Sequence, residues 1–505
     1  MYTCKPKSVV SSIYWFLMND LKRKLLLINP SNPKREGLVQ DPTTRMMPIA
    51  LGIVAALTPD NWEVELLDEN FETFKFIQAD VVGFTSFTAT ASRAYELSSL
   101  YREAGIYTVM GGIHASMYTE DTTGFFDTVV TGEAESVWPD FIRDFEAGNP
   151  RQLYIGQQVD VSRIPFVRRD IFKYPYIYEL VQTSRGCPMG CDFCSVTQMC
   201  GKTYRERDVE VVLDELEKTP GQLLFFIDDN LLNNKKGSEE RAIRLFKGMV
   251  ERKLNKLWVS QAALNFADNE EVLYWARKSG CMIILIGVEA ETAEALTAVR
   301  KNLNLKKGVD NYEGIFRKIH KYGIGINATM IFGMESDNMP DLYARRDFIL
   351  KSSFDSVQTS IMTPLPGTAL FKRMVLQNRI TATNYPNDWP LYDGTQAILN
   401  LPHLKAAEIK EAMDGIWLSI YSKEAVRKRL FRTIINTRSF QTAYWAYGLN
   451  HMYSRMFLEG RYNIDAKGKG VARSLYLKIT DKIVFLLYLF PWHKISRTFA
   501  GKDKR

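Results

Sequence analysis

Short apolar runs alternate with stretches of helical spacing along most of the chain. In the first third, residues 24–29 (KLLLIN), 63–67 (EVELL), 81–85 (VVGFT), 107–110 (YTVM) and 128–131 (TVVT) are apolar segments set between polar or Gly- and Pro-containing stretches. Such runs predict strands buried in a parallel sheet. Residues 47–57 and 91–104 place apolar side chains at helical intervals between them. Strand–helix alternation predicts an α/β domain over residues 24–149, an open doubly wound parallel sheet with its ligand at the carboxyl ends of the strands. Those ends carry Asn29–Pro30, Thr85 and Ser86, Gly111, Gly112 and His114, and Gly132 and Glu133. These small or hydrogen-bonding residues let a large ligand approach the backbone.

A second alternation occupies residues 176–378. Strands are predicted at 176–183, 223–227, 258–262, 283–288, 325–332 and 356–362, with helices at 210–217, 238–252, 269–279 and 312–322. Six βα units in series place chemistry at the carboxyl ends of the strands. Between the two halves, residues 150–175 contain Pro150, Pro165 and Pro175 with several charges, the composition of a surface linker. The first strand of the second half runs directly into Thr183–Ser184–Arg185–Gly186–Cys187–Pro188–Met189–Gly190–Cys191–Asp192–Phe193–Cys194. Thiolates are the usual ligands of iron–sulfur clusters, and three of them leave one iron of a cube without a protein ligand. Gly186, Pro188 and Gly190 suit a loop that wraps tightly around an object. A zinc site would want four ligands in two separated pairs, and no second pair exists in the sequence.

This C-x3-C-x2-C spacing after a strand resembles the radical S-adenosylmethionine superfamily. The resemblance implies a [4Fe–4S] cluster on Cys187, Cys191 and Cys194, whose open iron chelates the amino and carboxylate groups of S-adenosylmethionine. One electron then cleaves the sulfonium to methionine and a 5′-deoxyadenosyl radical. It further implies a partial (β/α)6 TIM barrel over residues 176–378, with Phe193 on the adenine side and Asp229 at the methionine ammonium. Glu289 is expected at the ribose or carboxylate and Gly333 beside adenine; Gln261 and Asn327, polar on otherwise apolar strands, are expected to point into the barrel and bind cofactor. The first half resembles the cobalamin-binding domain found upstream of many such enzymes, through its Pro-rich first loop, Gly111–Gly112 and Gly132–Glu133. On that resemblance Thr85, Ser86, Gly111, Gly112, Gly132 and Glu133 are expected to contact cobalamin. The Asp-x-His-x-x-Gly loop that coordinates cobalt from below is missing, since residues 29–37 contain no histidine. Either cobalamin binds without a lower protein ligand or the domain has lost it. His114 is placed at the corrin or substrate, or at the surface.

Composition adds the setting. Hydrophobic content of 46% and charged content of 24% describe an ordinary soluble protein, and 505 residues allow two to three domains. The six cysteines, three of them clustered, do not form a secreted disulfide framework, which with an oxygen-sensitive cluster places the protein in the cytoplasm. Cys200 reads as a small buried residue rather than a fourth ligand. From Tyr421 onward there are 18 Lys or Arg against 5 Asp or Glu, a net +13 within a whole-chain charge of +7. Residues 379–505 are therefore expected to form a helical, basic region. Its apolar run 483–490, like the run 9–18 in the extension 1–23, is too short to span a bilayer. Each is either a packed helix or a segment lying on an anionic membrane face. No recognised RNA-binding module accompanies the charge, so nucleic acid is set aside. The aromatic loop around 384–394 is expected to cover the substrate. The implied function is cobalamin-dependent C-methylation of a hydrophobic substrate, lipid, isoprenoid-like or tetrapyrrole, driven by an external one-electron donor such as flavodoxin or ferredoxin. The alternatives are a cobalamin-free radical cyclase or oxidase, and a non-catalytic cobalamin or redox sensor.

Overall fold

A computed structural model describes residues 22–32, 46–233 and 237–459. The apolar runs 9–18 and 483–490 and most of the first loop lie outside the described residues. Strands β1 (Arg23–Asn29), β2 (Trp62–Asp68), β3 (Val81–Thr85), β4 (Tyr107–Gly111), β5 (Thr128–Thr131) and β6 (Leu153–Ile155) form one parallel sheet in the order β2-β1-β3-β4-β5-β6. Successive residues of β1 point to opposite faces, and both faces are covered. Leu25 and Leu27 pack with Leu51 and Ala55 of helix α1 (Ile49–Leu57) and with Phe141 and Ile142 of α3 (Trp138–Glu146). Leu26 and Ile28 pack on the other side with Ala91 and Ala94 of α2 (Ala91–Glu103). This double burial is why the strands read as continuous apolar runs. The edge strand β6 falls inside the predicted linker, because a three-residue strand carries no periodicity. The rest of that linker folds back on the domain, with Val161 and Ile164 against Ile53.

The second sheet runs β14-β13-β12-β11-β10-β7, all parallel. Its strands are β7 (Glu179–Val181), β10 (Leu223–Phe226), β11 (Leu257–Ala262), β12 (Cys281–Glu289), β13 (Gly325–Phe332) and β14 (Ser356–Ile361). Helices α4 (Val209–Lys218), α5 (Ser238–Glu251), α6 (Glu270–Ser279), α7 (Tyr312–Lys321) and α8 (Met339–Lys351) connect them. The edge strands β7 and β14 are not paired with each other, so the barrel is partial, as expected. The predicted first strand is shortened from eight residues to three, because the chain leaves the sheet after Val181 to form the antiparallel hairpin β8 (Ser184–Arg185) and β9 (Arg205–Glu206).

Three helices follow the barrel: α9 (Ala406–Ile420), α10 (Lys423–Thr437) and α11 (Phe440–Ser454). Helix α11 closes the barrel at the amino ends of its strands. Thr442 Oγ1 donates to Gly323 O at 2.7 Å, Asn450 Nδ2 to Asp355 O at 2.7 Å, and Trp445 packs on Tyr178 with Val259 and Ile283. Trp445, Tyr453 and Arg429, all placed by sequence in a basic tail, are therefore buried. The helical-cap reading holds for this part of the region. Among the described residues no helix is long and apolar enough to cross a membrane.

Trp445 is 4% exposed. Trp445→Ala is expected to destabilise the barrel by about 3–5 kcal/mol, read as a lowered urea midpoint for the transition followed by Trp fluorescence.

Candidate active site

The cysteine loop begins where a buried carboxylate ends β7. Asp228, at the carboxyl end of β10, accepts from Thr183 N at 2.6 Å, Thr183 Oγ1 at 2.5 Å and Ser184 N at 3.0 Å. Its neighbour Asp229 accepts from Gly186 N at 2.9 Å. Gly186 has φ 92°, and a Cβ there would collide with Thr203 O, so only glycine fits between the hairpin strands. Cys187, Cys191 and Cys194 follow, with Cys194 N donating to Cys191 O at 3.2 Å. Asp192 is anchored by Arg373 at 3.1 Å and Arg300 at 3.3 Å.

Burial pushes all three thiols up, Cys194 to about 11. The adjacent cysteines add to the rise at Cys187 and Cys194, and the Lys301 ammonium opposes it at all three. Among the described residues no three His, Cys, Asp or Glu side chains converge as ligands of a single ion. A cubane cluster takes one thiolate per iron, so its ligands need a wider spread than a single ion allows. Three mutually interacting thiols beside a cation fit such a cluster, and metal binding would release their protons. Cys200 is pushed up to about 12 by burial and by the charge of Asp229.

Lys301 was not singled out from the sequence. It follows Glu289 by twelve residues, pairs with it at 2.7 Å, and is 15% exposed. Burial opposes its charge, but Glu289, Cys191 and Cys194 outweigh that and hold it protonated. Glu289 sits in the left-handed region at φ 65° and also accepts from Thr329 Oγ1 at 3.1 Å. Gly287 leaves room for this pair, since a Cβ there would lie 2.6 Å from Lys301 Nζ. The detectable signal was a cationic pair, Arg300–Lys301, on the turn after a strand-end glutamate.

Phe193 and Gly333 line one narrow cleft with Val299, Met362, Leu399 and Leu401. Gly333 has φ 75°. The charged Asp192, Glu335 and Arg373 share the cleft's lining, and the Phe193 ring beside the glycine backbone offers a face to a flat aromatic base. Gln261 is exposed in the barrel interior. Asn327 shares its layer through the register Gln261↔Leu285↔Asn327. Its amide is taken, because Nδ2 donates to Tyr453 OH at 2.9 Å and Oδ1 accepts from Ser356 Oγ at 3.1 Å.

In the first domain, Thr85, Ser86, Gly111 and Gly112 meet at the carboxyl ends of β3 and β4. Gly112 has φ 90°, and a Cβ would lie 2.6 Å from Thr85 Oγ1. Ser86 is 4% exposed and its hydroxyl has no hydrogen-bond partner among the described residues. An orphaned hydroxyl beside a glycine pair fits the edge of a macrocycle such as cobalamin. His114 is fully buried instead of facing a ligand. Nε2 meets Tyr95 OH at 2.9 Å, and the ring packs edge-on to Trp389 at 5.2 Å. The 384–392 loop therefore docks on this domain, with Trp389 Nε1 donating to Asp121 at 3.0 Å and Asn32 Nδ2 to Pro390 O at 3.0 Å.

Gly132 packs its α-carbon against Gly156 O, and Glu133 turns toward the cysteine hairpin. Glu133 pairs with Arg205 and with Arg185 at 3.4 Å and accepts from Val159 N at 2.8 Å. Arg185 also pairs with Glu135 at 2.5 Å. These buried ion pairs join the end of β5 to the β8–β9 hairpin. The carboxyl ends of both sheets thus face one gap.

Residues 181–349 match the family model of the radical SAM superfamily, and residues 36–142 match the B12 binding domain. The chain therefore carries a radical SAM domain and, ahead of it, a B12 binding domain. Its cofactors are a [4Fe–4S] cluster, S-adenosylmethionine and cobalamin. It is 28% identical over 455 residues to the bacteriochlorophyllide d C-12(1)-methyltransferase of Chlorobaculum tepidum, covering 86% of this chain and 93% of that one. It is 25% identical over 391 residues to the anaerobic magnesium-protoporphyrin IX monomethyl ester cyclase of Cereibacter sphaeroides, covering 70% and 62%. Its fold matches that of the radical S-adenosylmethionine methyltransferase TsrM from Kitasatospora setae with cobalamin and [4Fe–4S] cluster bound. The TM-score is 0.62 at 16% identity, over 86% of this chain and 99% of that one.

Burial pushes the Glu133 carboxyl up, but hydrogen bonds from Arg205 and Val159 and the charges of Arg185 and Arg205 hold it below its ordinary 4.5. The clamp's contribution is therefore complete above pH 4.5 and is lost as pH falls through the lower folded value. Hydrogen-exchange protection factors at residues 157–159 should stay high at neutral pH and fall only in that acid range. Glu133→Gln should show fast exchange at neutral pH already, with a loss on the order of 3–5 kcal/mol.

Proposed function

We propose that this enzyme transfers a methyl group to an unactivated carbon of a hydrophobic substrate, of tetrapyrrole or polycyclic lipid class, held in the gap between the two sheets. The observation that carries the reading is the buried clamp Glu133–Arg205 and Arg185–Glu135, which sets the cobalamin-domain loops against the cysteine hairpin. Full-length similarity to a bacteriochlorophyllide methyltransferase supports the reaction class. When bound, the cluster and S-adenosylmethionine supply one-electron cleavage of a sulfonium, and cobalamin supplies a methyl carrier.

The chain's own residues bind and orient. Cys187, Cys191 and Cys194 hold the cluster, and Asp229 offers a carboxylate to an ammonium beside it. Lys301 and Glu289 offer a cation and an acceptor to the neighbouring carboxylate and ribose hydroxyls. Phe193 and the Gly333 backbone enclose the adenine. Ser86 and the Gly111–Gly112 backbone receive the corrin edge, and Gln261 faces the substrate from the barrel interior. Helix α11 excludes water from below through Trp445 and Tyr453. The electron comes from an external carrier of the flavodoxin or ferredoxin type. A second reading, oxidation or cyclisation without methyl transfer, is favoured by the similarity to the cyclase.

Anaerobic assay with methyl-labelled S-adenosylmethionine, a strong reductant and tetrapyrrole or lipid extracts separates these readings. Methyl transfer predicts label in an extractable product, retained stoichiometric cobalt, and complete loss of 5′-deoxyadenosine formation in Cys191→Ala. Turnover with all label left in methionine or S-adenosylmethionine would move the assignment to cyclase or oxidase. Absence of any 5′-deoxyadenosine would leave a sensor. Lys301→Met is expected to weaken S-adenosylmethionine binding by about ten- to a hundredfold, the scale of one charge-assisted hydrogen bond, measured by equilibrium dialysis on the reconstituted enzyme.

A further inference from the structure

We infer that the amino-end face of the barrel, opposite the cluster, is a docking face for an anionic phospholipid bilayer. A cavity of about 570 Å³ opens there, lined by Arg277, Arg317, His320, Lys321 and the turn Asn436–Ser439 with Arg438. It lies at the starts of β12 and β13, since Arg277 is in the last turn of α6 and Gly323 precedes β13. The carboxylates facing it are already engaged. Glu270 pairs with Lys321 at 2.9 Å, and Asp355 takes His320 Nε2 at 2.8 Å and Ile326 N at 2.6 Å. Arg317 and Arg438 make no ion pair among the described residues. Arg277 donates to Cys281 O at 3.0 Å and Ser439 Oγ at 3.2 Å, and burial lowers its pKa with no carboxylate to oppose the fall. His320 is 3% exposed, and its Nδ1 has no partner.

Part of this positive charge offsets helix dipoles, because α6, α7 and α10 all end here and each carboxyl end carries about half a negative charge. The dipoles do not account for the apolar rim. Phe431, Ile435 and Phe440 are 64%, 72% and 76% exposed. Phe431 and Ile435 are one turn apart on α10, and Ile435 and Phe440 flank the cavity's Asn436–Ser439 wall. Single exposed apolar residues are ordinary. Three large ones beside unpaired arginines form an interfacial surface, apolar groups for the acyl boundary and guanidinium groups for phosphates.

Charge decides the occupant. The chain's own segment 460–505 carries 11 Lys or Arg against 3 Asp or Glu, the same sign as the cavity. Like charge does not select it as the occupant, whereas an anionic surface complements the cavity. The face lies away from the cluster, so docking leaves the active-site gap directed away from the lipid, and the inference does not depend on the proposed substrate.

The test is flotation of the full-length, cofactor-loaded protein with phosphatidylcholine vesicles, with and without phosphatidylglycerol. Binding is expected only with phosphatidylglycerol, and it should weaken with salt. Arg317→Glu with Arg438→Glu, and separately Phe431→Ser with Ile435→Ser, should each reduce the bound fraction's partition constant by about tenfold or more. All these side chains are remote from the cofactors, so unchanged cluster and cobalamin spectra confirm folding. Wild-type protein that ignores phosphatidylglycerol overturns the inference. So does binding that both double variants retain, which would assign it to other parts of the chain. Saturable inorganic phosphate binding without vesicle binding would make the cavity a free-anion site. Self-association abolished by Phe431→Ser with Ile435→Ser, without vesicle binding, would make the rim an interface between copies. Either result also overturns it.

Discussion

Burying a carboxylate is costly unless hydrogen bonds replace its water, and Asp228 is fully buried with three donors from Thr183 and Ser184. Burial still pushes this carboxyl up, so those donors are indispensable to it. They can be supplied only if the chain leaves the sheet after Val181 and bends across the end of β10. That bend creates the β8–β9 hairpin and delivers Gly186 to Asp229 and Arg185 to Glu135. The cysteine loop and the junction with the first domain both start from this one requirement.

Periodicity made most of the scaffold legible. Every strand of both sheets except the three-residue β6 and the two-residue β8 and β9 was readable, because apolar runs must be buried on both faces of a parallel sheet. The cysteines were legible through spacing alone. What stayed hidden depends on pairings distant in sequence. Glu133 and Arg205 meet across 72 positions, and no local pattern announces such a pair. Asn327 was legible as an inward polar residue, but its engagement by Tyr453 across 126 positions was not. Lys301 was hidden because a lysine in a turn ordinarily reads as solvated, and only the fold brings Glu289 and the thiols around it.

The two sheets meet carboxyl end to carboxyl end. Residues along that junction lie beyond the ends of the sheet strands: 132–135 and 185–205 on one side, and Met117 against Gly367 with Asn32 against Pro390 on the other. On the proposed assignment the strand ends hold cofactors, and the loops between them shape the space for a substrate. This division explains how the aromatic 384–392 loop can be built into the cobalamin domain, with Trp389 fully buried, while the barrel interior at Gln261 remains open.

Helix α11 is the stopper of the barrel, and its Tyr453 reaches Asn327 in the interior. Trp445, Asn450 and Tyr453 seal the end that the strands leave open. Dioxygen is small and apolar, and a frayed stopper would give it a dry path along the barrel interior toward the iron. Fraying of α11 would thus add a second route to the cluster, from the far end of the domain, to the one that the open carboxyl end already offers.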